Sequence, residues 1–340
     1  MALKRNYSLK ALNTFAVDVS ANYFGSFASL EELRDLLDQV PAGIESLVLG
    51  GGSNILFVND YPGLILHNRM QGSQITKQDE DHVWIQVAGG VNWHTFVLDS
   101  IQQGYSGLEN LSLIPGTVGA APIQNIGAYG VELSDCFESL EAIDLLTGEV
   151  RYLSKAECQF GYRQSIFKQS THRNRWVVFS VVFKLCKSPN FVTGYGEIER
   201  ELEKRQITQL TPQLMSDVIC SIRKRKLPDP AVSPNAGSFF KNPVVNKSQF
   251  ERLTLLFPKL ISYSLDDGSF KLAAGWLIDR LGWKGRVVDG AKVHDNQALV
   301  IVSMGGGGQA ILSLAENIQR DVLSAYGVQL EMEPLVVCSA

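Results

Sequence analysis

The sequence predicts an α+β fold, because segments with strand periodicity and segments with helix periodicity follow one another along the whole chain. The 340 residues are 45% hydrophobic and 19% charged with a net charge of −4, which excludes a disordered chain and supplies the apolar surface for a buried core. At roughly 150 residues per domain, this length predicts two or three domains.

Three segments have the pattern of strands. Residues 83–87 alternate between apolar and polar side chains, as a half-buried strand does. Residues 140–153 carry Thr147-Gly148 in their middle, which predicts a β-hairpin. Residues 177–183 are an almost continuous run of β-branched and aromatic side chains, which predicts a strand buried on both faces.

The clearest helix covers residues 309–326, whose apolar side chains recur at helical spacing up to Gly327. A second helix begins at Thr211-Pro212 and ends in the basic run Arg223–Lys226, which is interpreted as a solvated helix end, with phosphate binding as the alternative. The proline-rich stretch from Leu227 to Gly237 predicts a domain boundary. Beyond it the pattern indicates helices over residues 249–256 and 271–281 and a strand over residues 298–303.

Composition narrows the class of protein. With 31 basic and 35 acidic residues, we expect no nucleic-acid partner. The longest strongly apolar run is far shorter than the ~20 residues of a membrane span, and the first residues lack the apolar core of a signal peptide, so we expect a cytoplasmic protein. The five cysteines are scattered and no histidine spacing suits a metal, so reduced thiols and no metal site are expected.

Two glycine-rich segments are the strongest sign of a ligand. Residues 47–54 are a strand that runs into Gly50-Gly-Gly-Ser-Asn54, and residues 114–130 are rich in small residues but poor in charge. Each segment alone fits a tight turn or buried loop as well as an anion-binding backbone; together they favour a nucleotide-type cofactor. Residues 305–310 match a dinucleotide fingerprint, but the chain ends too soon for that domain, so a flexible turn is predicted there.

Two polar residues are candidates for chemistry. Arg163 follows Tyr162 and suits a carboxylate, although a lone arginine is more often part of a surface salt bridge. Ser238 lies in a turn of small residues, where a turn or capping role is the alternative. No G-x-S-x-G pattern surrounds Ser238, so a hydrolase nucleophile is not supported.

These motifs resemble those of the MurB family of UDP-N-acetylenolpyruvoylglucosamine reductases. The matching segments run in family order along nearly the whole chain: 13–15, 49–54, 114–130, 160–163, 225–230, 235–243, 271–278 and 297–299. The resemblance implies an α+β fold of three domains, two forming a FAD-binding unit of the PCMH/vanillyl-alcohol-oxidase type and a third binding substrate. The expected bounds are 1–70 and 71–226 for the FAD-binding subdomains and 227–328 for the substrate domain, with a strand at about 329–340 returning to the first.

The family's activity is the NADPH-dependent, FAD-mediated reduction of UDP-N-acetylglucosamine-enolpyruvate in peptidoglycan synthesis, and a monomer with non-covalent FAD is implied. The family's catalytic positions fall on Arg163, Ser238 and Glu333. The positions that contact FAD fall on Gly50, Gly51, Gly52, Ser53, Asn54, Pro115, Gly116, Thr117, Gly119, Ala120, Asn125, Gly127, Ala128, Tyr129 and Gly130. Those that contact the sugar nucleotide fall on Tyr162, Tyr195, Lys226, Asn242, Tyr263 and Gln297.

Some alternatives stay open at this point. The chain departs from the familiar C-terminal motif by a shifted proline, so Glu331 competes with Glu333, although the spacing from Leu330 favours Glu333. An oxidase with the same FAD-binding fold is the alternative enzyme, and a non-catalytic nucleotide sensor is the alternative outside catalysis. Ser238 and its neighbours argue against the oxidase. The presence of all three catalytic candidates argues against the non-catalytic sensor.

Overall fold

The computed structural model describes residues 3–338 and confirms the α+β class, with twenty strands and eight α-helices in that part of the chain. The strands are β1 (Lys4–Ser8), β2 (Ser20–Phe27), β3 (Ser46–Leu49), β4 (Ile55–Phe57), β5 (Tyr61–Asn68), β6 (Ser73–Gln78), β7 (His82–Ala88), β8 (Gly127–Ala128), β9 (Val131–Glu132), β10 (Phe137–Asp144), β11 (Val150–Ser154), β12 (Trp176–Cys186), β13 (Asn235–Ser238), β14 (Val244–Val245), β15 (Ser262–Ser264), β16 (Phe270–Leu272), β17 (Val287–Val288), β18 (Ala291–Val293), β19 (Val300–Ser303) and β20 (Leu335–Val337). The helices are α1 (Leu30–Asp38), α2 (Trp93–Gln102), α3 (Leu133–Cys136), α4 (Gly196–Lys204), α5 (Pro212–Lys226), α6 (Lys247–Leu256), α7 (Ala274–Arg280) and α8 (Gly307–Tyr326).

The chain divides into two compact units that exchange short segments. The first contains the chain up to Tyr7, Ala21–Gly52 and Pro62–Arg225; the second contains Ser8–Ser20, Ser53–Tyr61 and the chain from Lys226 onward. The division at Lys226 lies next to the proline-rich stretch. The finer division into three domains remains a prediction.

The first unit contains two larger sheets and the short two-stranded sheet of β8 and β9. One has the strand order β1-β2-β5-β3, with β3 parallel to β5, and packs against α1 through Phe27, Leu33 and Leu64. The other has the order β11-β10-β12-β7-β6 and is antiparallel throughout. Its central strand β12 is buried along most of its length, as the run at residues 177–183 predicted, and β10 and β11 form the predicted hairpin.

Helices α4 and α5 share a smaller core in the same unit. Ile198 of α4 is fully buried, as are four apolar side chains of α5: Met215, Val218, Ile219 and Ile222. The helix predicted to begin at Thr211-Pro212 is therefore confirmed as α5, and one of its faces is buried at helical spacing. This pair of helices carries several of the residues discussed below.

The second unit combines two antiparallel sheets, β13-β19-β18-β17 and β14-β16-β15, with the parallel pair of β20 and β4. Helix α8 confirms the prediction for residues 309–326 and ends at Gly327 in a left-handed conformation. The helix predicted over residues 271–281 is wrong at its start, because Lys271 pairs with strands on both sides as part of β16 and the helix α7 begins only at Ala274. Within residues 3–338, no helix is long and apolar enough to cross a membrane.

Candidate active site

The two glycine-rich segments meet in the first unit, backbone against backbone. The first leaves β3 at Leu49 and turns through Gly52, whose φ is +61°. A Cβ at Gly51 would lie 2.9 Å from the Cα of Gly116, and one at Gly50 would collide with the hydroxyl of Thr117. Glycine is required for so close an approach of the two segments.

The second segment is fixed to the start of α2 and to the turn that follows β7. The N–H of Trp93 donates to the carbonyl of Gly116 over 3.1 Å, and the N–H of Gly119 donates to the carbonyl of Gly89 over 2.8 Å. Beyond this anchor, Val118–Gln124 forms a 3₁₀ helix, so the segment is ordered structure rather than a flexible loop. A backbone held in this way can present N–H groups to a ligand at little cost in conformational entropy.

Asn125 ties this segment to the turn that carries Arg163. It is fully buried in the left-handed conformation, with φ +46°. Its amide nitrogen donates to the Glu132 carboxylate over 2.7 Å and to the Gly161 carbonyl over 3.1 Å, and its amide oxygen accepts from the N–H of Ser134. The glycine-rich segment and the Gly161–Arg163 turn are therefore joined through one side chain.

Arg163 points back toward the glycine-rich segment. Its guanidinium donates to the carbonyl of Gly127 over 2.5 Å and lies 5.3 Å from the ring centroid of Tyr162. Its φ of +53° is in the left-handed region, which a residue other than glycine seldom adopts. A Cβ at position 127 would lie 3.0 Å from the guanidinium, so the glycine there makes room for it. A backbone carbonyl, that of Gly127, therefore orients the guanidinium.

A second arginine, Arg223 of α5, adds buried positive charge near Arg163. Its Nε is fully buried and has no hydrogen-bond partner among residues 3–338. Burial lowers the pKa of Arg223, and the neighbouring charge of Arg163 lowers it further. A buried donor without a hydrogen bond is unfavourable unless a ligand accepts it, so this corner of the unit suits an anion. Lys224 and Arg225 of the run are exposed, as a solvated helix end predicts, whereas the Nε of Arg223 is buried.

Tyrosine side chains lie beside these cations. Burial raises the pKa of Tyr129, whose hydroxyl therefore stays protonated at neutral pH. The ring of Tyr195 meets that of Tyr129 edge to face with centroids 5.7 Å apart. Tyr195 is exposed at 39% and immediately precedes α4. The predicted residues Tyr129, Tyr162, Arg163 and Tyr195 are thus gathered in one unit.

The second unit brings Ser238 and Glu333 onto neighbouring chain segments. Ser238 ends β13 after Gly237, whose φ is +70°. The N–H of Glu333 donates to the carbonyl of Phe239 over 2.8 Å, next to Ser238. The carboxylate of Glu331 is exposed and forms an ion pair with Lys241 at 2.7 Å, which favours Glu333 as the functional glutamate.

Other predicted residues are divided within this unit. The side chain of Asn242 accepts a hydrogen bond from the N–H of Ala274 over 2.9 Å. The amide oxygen of Gln297 lies near Gly275, 3.7 Å from where a Cβ would stand. Both side chains therefore contact the first turn of α7. Tyr263 lies apart on β15, opposite Lys271, with 43% exposure. Lys226 is the last residue of α5. Ser53 and Asn54, predicted to act with Gly50–Gly52, fall into this second unit beside β4 and β20.

Sequence reasoning missed two residues of the first unit. Arg223 lies four residues after the buried Ile219, so helical spacing places it on the inner face of α5. This spacing is the signal in the sequence that identifies Arg223. His94 accepts the N–H of Leu113 on its Nδ1 over 3.0 Å and so supports the start of the second glycine-rich segment. Nothing in the spacing of residues around His94 indicates that contact.

Known proteins match this chain over nearly its full length. Residues 229–337 match the family model "UDP-N-acetylenolpyruvoylglucosamine reductase, C-terminal domain", and residues 23–154 match "FAD binding domain". The UDP-N-acetylenolpyruvoylglucosamine reductase of Pseudomonas putida is 48% identical over 329 residues, with 96% of each chain covered. That of Burkholderia mallei is 47% identical over 339 residues, covering 98% of this chain and 97% of the relative. The crystal structure of MurB from Thermus caldophilus shares the fold, with a TM-score of 0.68 at 24% identity over 99% of this chain and all of the other.

Proposed function

Because the chain belongs to the UDP-N-acetylenolpyruvoylglucosamine reductase family, we propose that it reduces the enolpyruvyl group of UDP-N-acetylglucosamine-enolpyruvate to UDP-N-acetylmuramate. FAD is the cofactor, NADPH is the hydride donor, and the product enters bacterial peptidoglycan synthesis. The observation that carries the proposal is the buried, unpartnered Nε of Arg223 near Arg163, because FAD, NADPH and the sugar nucleotide are all anions.

The glycine-rich segments fit the pyrophosphate of FAD. Gly51 lies directly against the backbone of Gly116, and Gly50 lies against the side-chain hydroxyl of Thr117, so the glycine backbone can approach phosphate oxygens closely. FAD held by these residues would supply the hydride chemistry of the reaction, between NADPH and the methylene carbon of the enolpyruvyl group. We assign its binding to residues 50–54 and 115–130.

Arg163 stabilises the charge that develops in this reaction. Hydride addition to the methylene carbon moves the double-bond electrons onto the neighbouring carbon, where they delocalise into the carboxylate as an enolate. A guanidinium already oriented by the Gly127 carbonyl supplies positive charge without reorganising at that moment. We assign to Glu333 an assisting role, as an acid or as the partner that orients Arg163.

Ser238 completes the reduction by donating its hydroxyl proton to the carbon that carries the negative charge, and it recovers a proton from solvent. A hydroxyl is a weak acid, so the strongly basic carbanion drives this step. The left-handed turn at Gly237 and the extended pairing of residues 239–241 with 331–333 fix the backbone on which Ser238 is presented.

The remaining residues bind the sugar nucleotide. Tyr195, Lys226 and Asn242 are assigned to its UDP part, and Tyr162, Tyr263 and Gln297 to further contacts. Asn242 and Gln297 lie at the first turn of α7, where backbone N–H groups and a side-chain amide offer hydrogen bonds to oxygen atoms.

The purified protein tests the proposal directly. We expect a yellow protein whose visible absorption bleaches with NADPH in the absence of oxygen and returns on adding UDP-N-acetylglucosamine-enolpyruvate. Colour that returns with oxygen but not with this substrate would mean an oxidase instead. A protein that binds nucleotides but never bleaches would mean a non-catalytic sensor.

We propose that the enzyme acts in the cytoplasm as a monomer. Light scattering of the purified protein should give the mass of one chain, 37.5 kDa. A mass of twice that value would contradict the monomer.

A further inference from the structure

Glu201 of α4 is a buried carboxylate between two arginines. It is 6% exposed and accepts hydrogen bonds from Arg205 Nε over 3.0 Å and from Arg225 over 2.9 Å. Arg205 follows α4, whereas Arg225 belongs to α5, so one side chain links the two helices. We propose that Glu201 is a positioning residue that fixes α4 on α5 and thereby sets the place of Tyr195, an inference that rests on the proposed role of Tyr195 in substrate binding.

The charges around Glu201 make the ionised carboxylate the stable form. Hydrogen bonds from Arg225 and Arg205 lower the pKa of Glu201. The carboxylate is buried, whereas Arg225 is half exposed. Loss of the negative charge therefore takes the partner from two arginines, and a side chain of the same size leaves no large cavity. Replacement by glutamine therefore removes the charge and keeps the shape.

Helix α4 is short and carries few apolar side chains. It has nine residues, which is too short for stability on its own. Ile198 and Leu202 join the apolar cluster that it shares with α5, and most of its other side chains are charged. The ion pair between the helices therefore adds a specific link to this small apolar contact.

Tyr195 is placed by the start of this helix. Its carbonyl accepts the N–H of Ile198 over 2.7 Å, which makes it the first hydrogen-bonded residue of α4. No side-chain cap holds this end. A shift of α4 on α5 therefore moves the backbone of Tyr195, and with it the ring that rests on Tyr129.

Hydrogen exchange tests the clamp without reference to activity. In Glu201→Gln, we expect amides of residues 191–204 to exchange about tenfold or more faster, while amides of the antiparallel sheet keep their rates. Glu203→Gln is the matched control, because Glu203 is exposed on the same helix. Equal exchange in the two variants would overturn the proposal, whether or not the protein has the proposed activity.

Kinetics then test the link to Tyr195. We expect Glu201→Gln to raise KM for the enolpyruvyl sugar nucleotide about tenfold, the loss of roughly one charged hydrogen bond, with the rate of reduction by NADPH unchanged. In a Tyr195→Ala background, the same substitution should change KM by less than twofold, because both act through one contact. A full effect in that background would overturn the link. An unmodified protein that fails to turn over this substrate would instead refute the proposed function, leaving the exchange result to judge the clamp.

Discussion

Arg223 is the residue whose burial is hardest to explain without a ligand. Its Nε lacks a hydrogen-bond partner in residues 3–338, and its pKa is lowered by burial and by Arg163. A cation in this state destabilises the ligand-free protein, and stability lost in this way is typical of binding sites.

We therefore expect Arg223→Met to stabilise the ligand-free protein while it weakens ligand binding. Removing a poorly compensated buried charge should raise the melting temperature by a few degrees, corresponding to about 1–3 kcal/mol. Lys224→Met, on the exposed side of the same helix, is the control and should leave the melting temperature nearly unchanged. A lower melting temperature for Arg223→Met would show that the guanidinium is structural.

Ser238 separates the two halves of the proposed reaction. We expect Ser238→Ala to reduce turnover by ~10²–10⁴-fold, the usual contribution of a general acid, while the NADPH-dependent bleaching proceeds at its normal rate. Stopped-flow absorbance of each half-reaction measures both. Equal slowing of the two would exclude the proton-donor role.

His94 makes the stability of the first unit depend on pH. Burial, and then the charges of Arg223 and Lys224, lower the pKa of His94 below its usual 6.5. The folded state therefore holds this ring neutral where the unfolded chain has begun to bind a proton. The stabilisation is complete above about pH 6.5 and is lost as the pH falls through 6.5 toward the folded-state pKa.

The melting temperature should accordingly fall as the pH is lowered from 7.5 to 5. The melting temperature of the His94→Gln variant should fall less steeply over this range. Glutamine still offers an oxygen to the N–H of Leu113 but does not titrate. Parallel curves for the two proteins would mean that other groups cause the acid sensitivity.

At the scale of elements, hydrophobic periodicity correctly predicted the strands and helices that have one or both faces strongly apolar. Strand β12 and helix α8 follow their apolar patterns closely, since their burial is what the pattern records. Residues 271–281 failed because Lys271 and Leu272 are fixed by pairing with strands on both sides, and such pairing is not visible in a local pattern. In the charged run at 223–226 the sequence left open which member faces inward, and the structure buries the Nε of Arg223 while Lys224 and Arg225 stay exposed.

The glycines before α8 show the same limit. Residues 305–310 resemble a nucleotide-binding turn, but Gly308 is required by packing: a Cβ there would collide with the carbonyl oxygen of Phe57 in β4. A motif of glycines records that two backbones come close, and only the structure tells whether the neighbour is a ligand or another strand.

We expect Gly308→Ala to destabilise the protein by about 1–3 kcal/mol, because the backbone of α8 must move away from β4. Gly196→Ala is a suitable control, since a Cβ there meets nothing within 4 Å and alanine favours the helix that begins at this residue. Chemical denaturation of both variants measures the difference. A stability of Gly308→Ala equal to that of the control would mean that the contact is easily relieved.

At the scale of the whole molecule, the chain crosses between its units more often than the sequence indicates. The proline-rich stretch after residue 226 has the composition of a boundary and adjoins the division at Lys226. The crossings at Ser8–Ser20 and Ser53–Tyr61 have no such signal, because a short segment changes partner without changing composition. The glycine-rich segments, Arg163 and Ser238 stood out from the residues alone, Glu333 and Tyr195 were found through the family's motifs, and the contact of His94 required the fold.

Binding of FAD should be visible in the stability of the molecule as a whole. A ligand that binds only the folded state adds about 2.7 kcal/mol at a concentration one hundred times its Kd. If the close approach of Gly51 to Gly116 presents N–H groups to a pyrophosphate, FAD should raise the melting temperature more than FMN does, and riboflavin least, although all three carry the same ring. Gly51→Ala, whose Cβ would lie 2.9 Å from Gly116, should reduce the advantage of FAD over riboflavin. Equal shifts with all three flavins would mean that the ring alone is recognised and that the glycine-rich segments have a structural role.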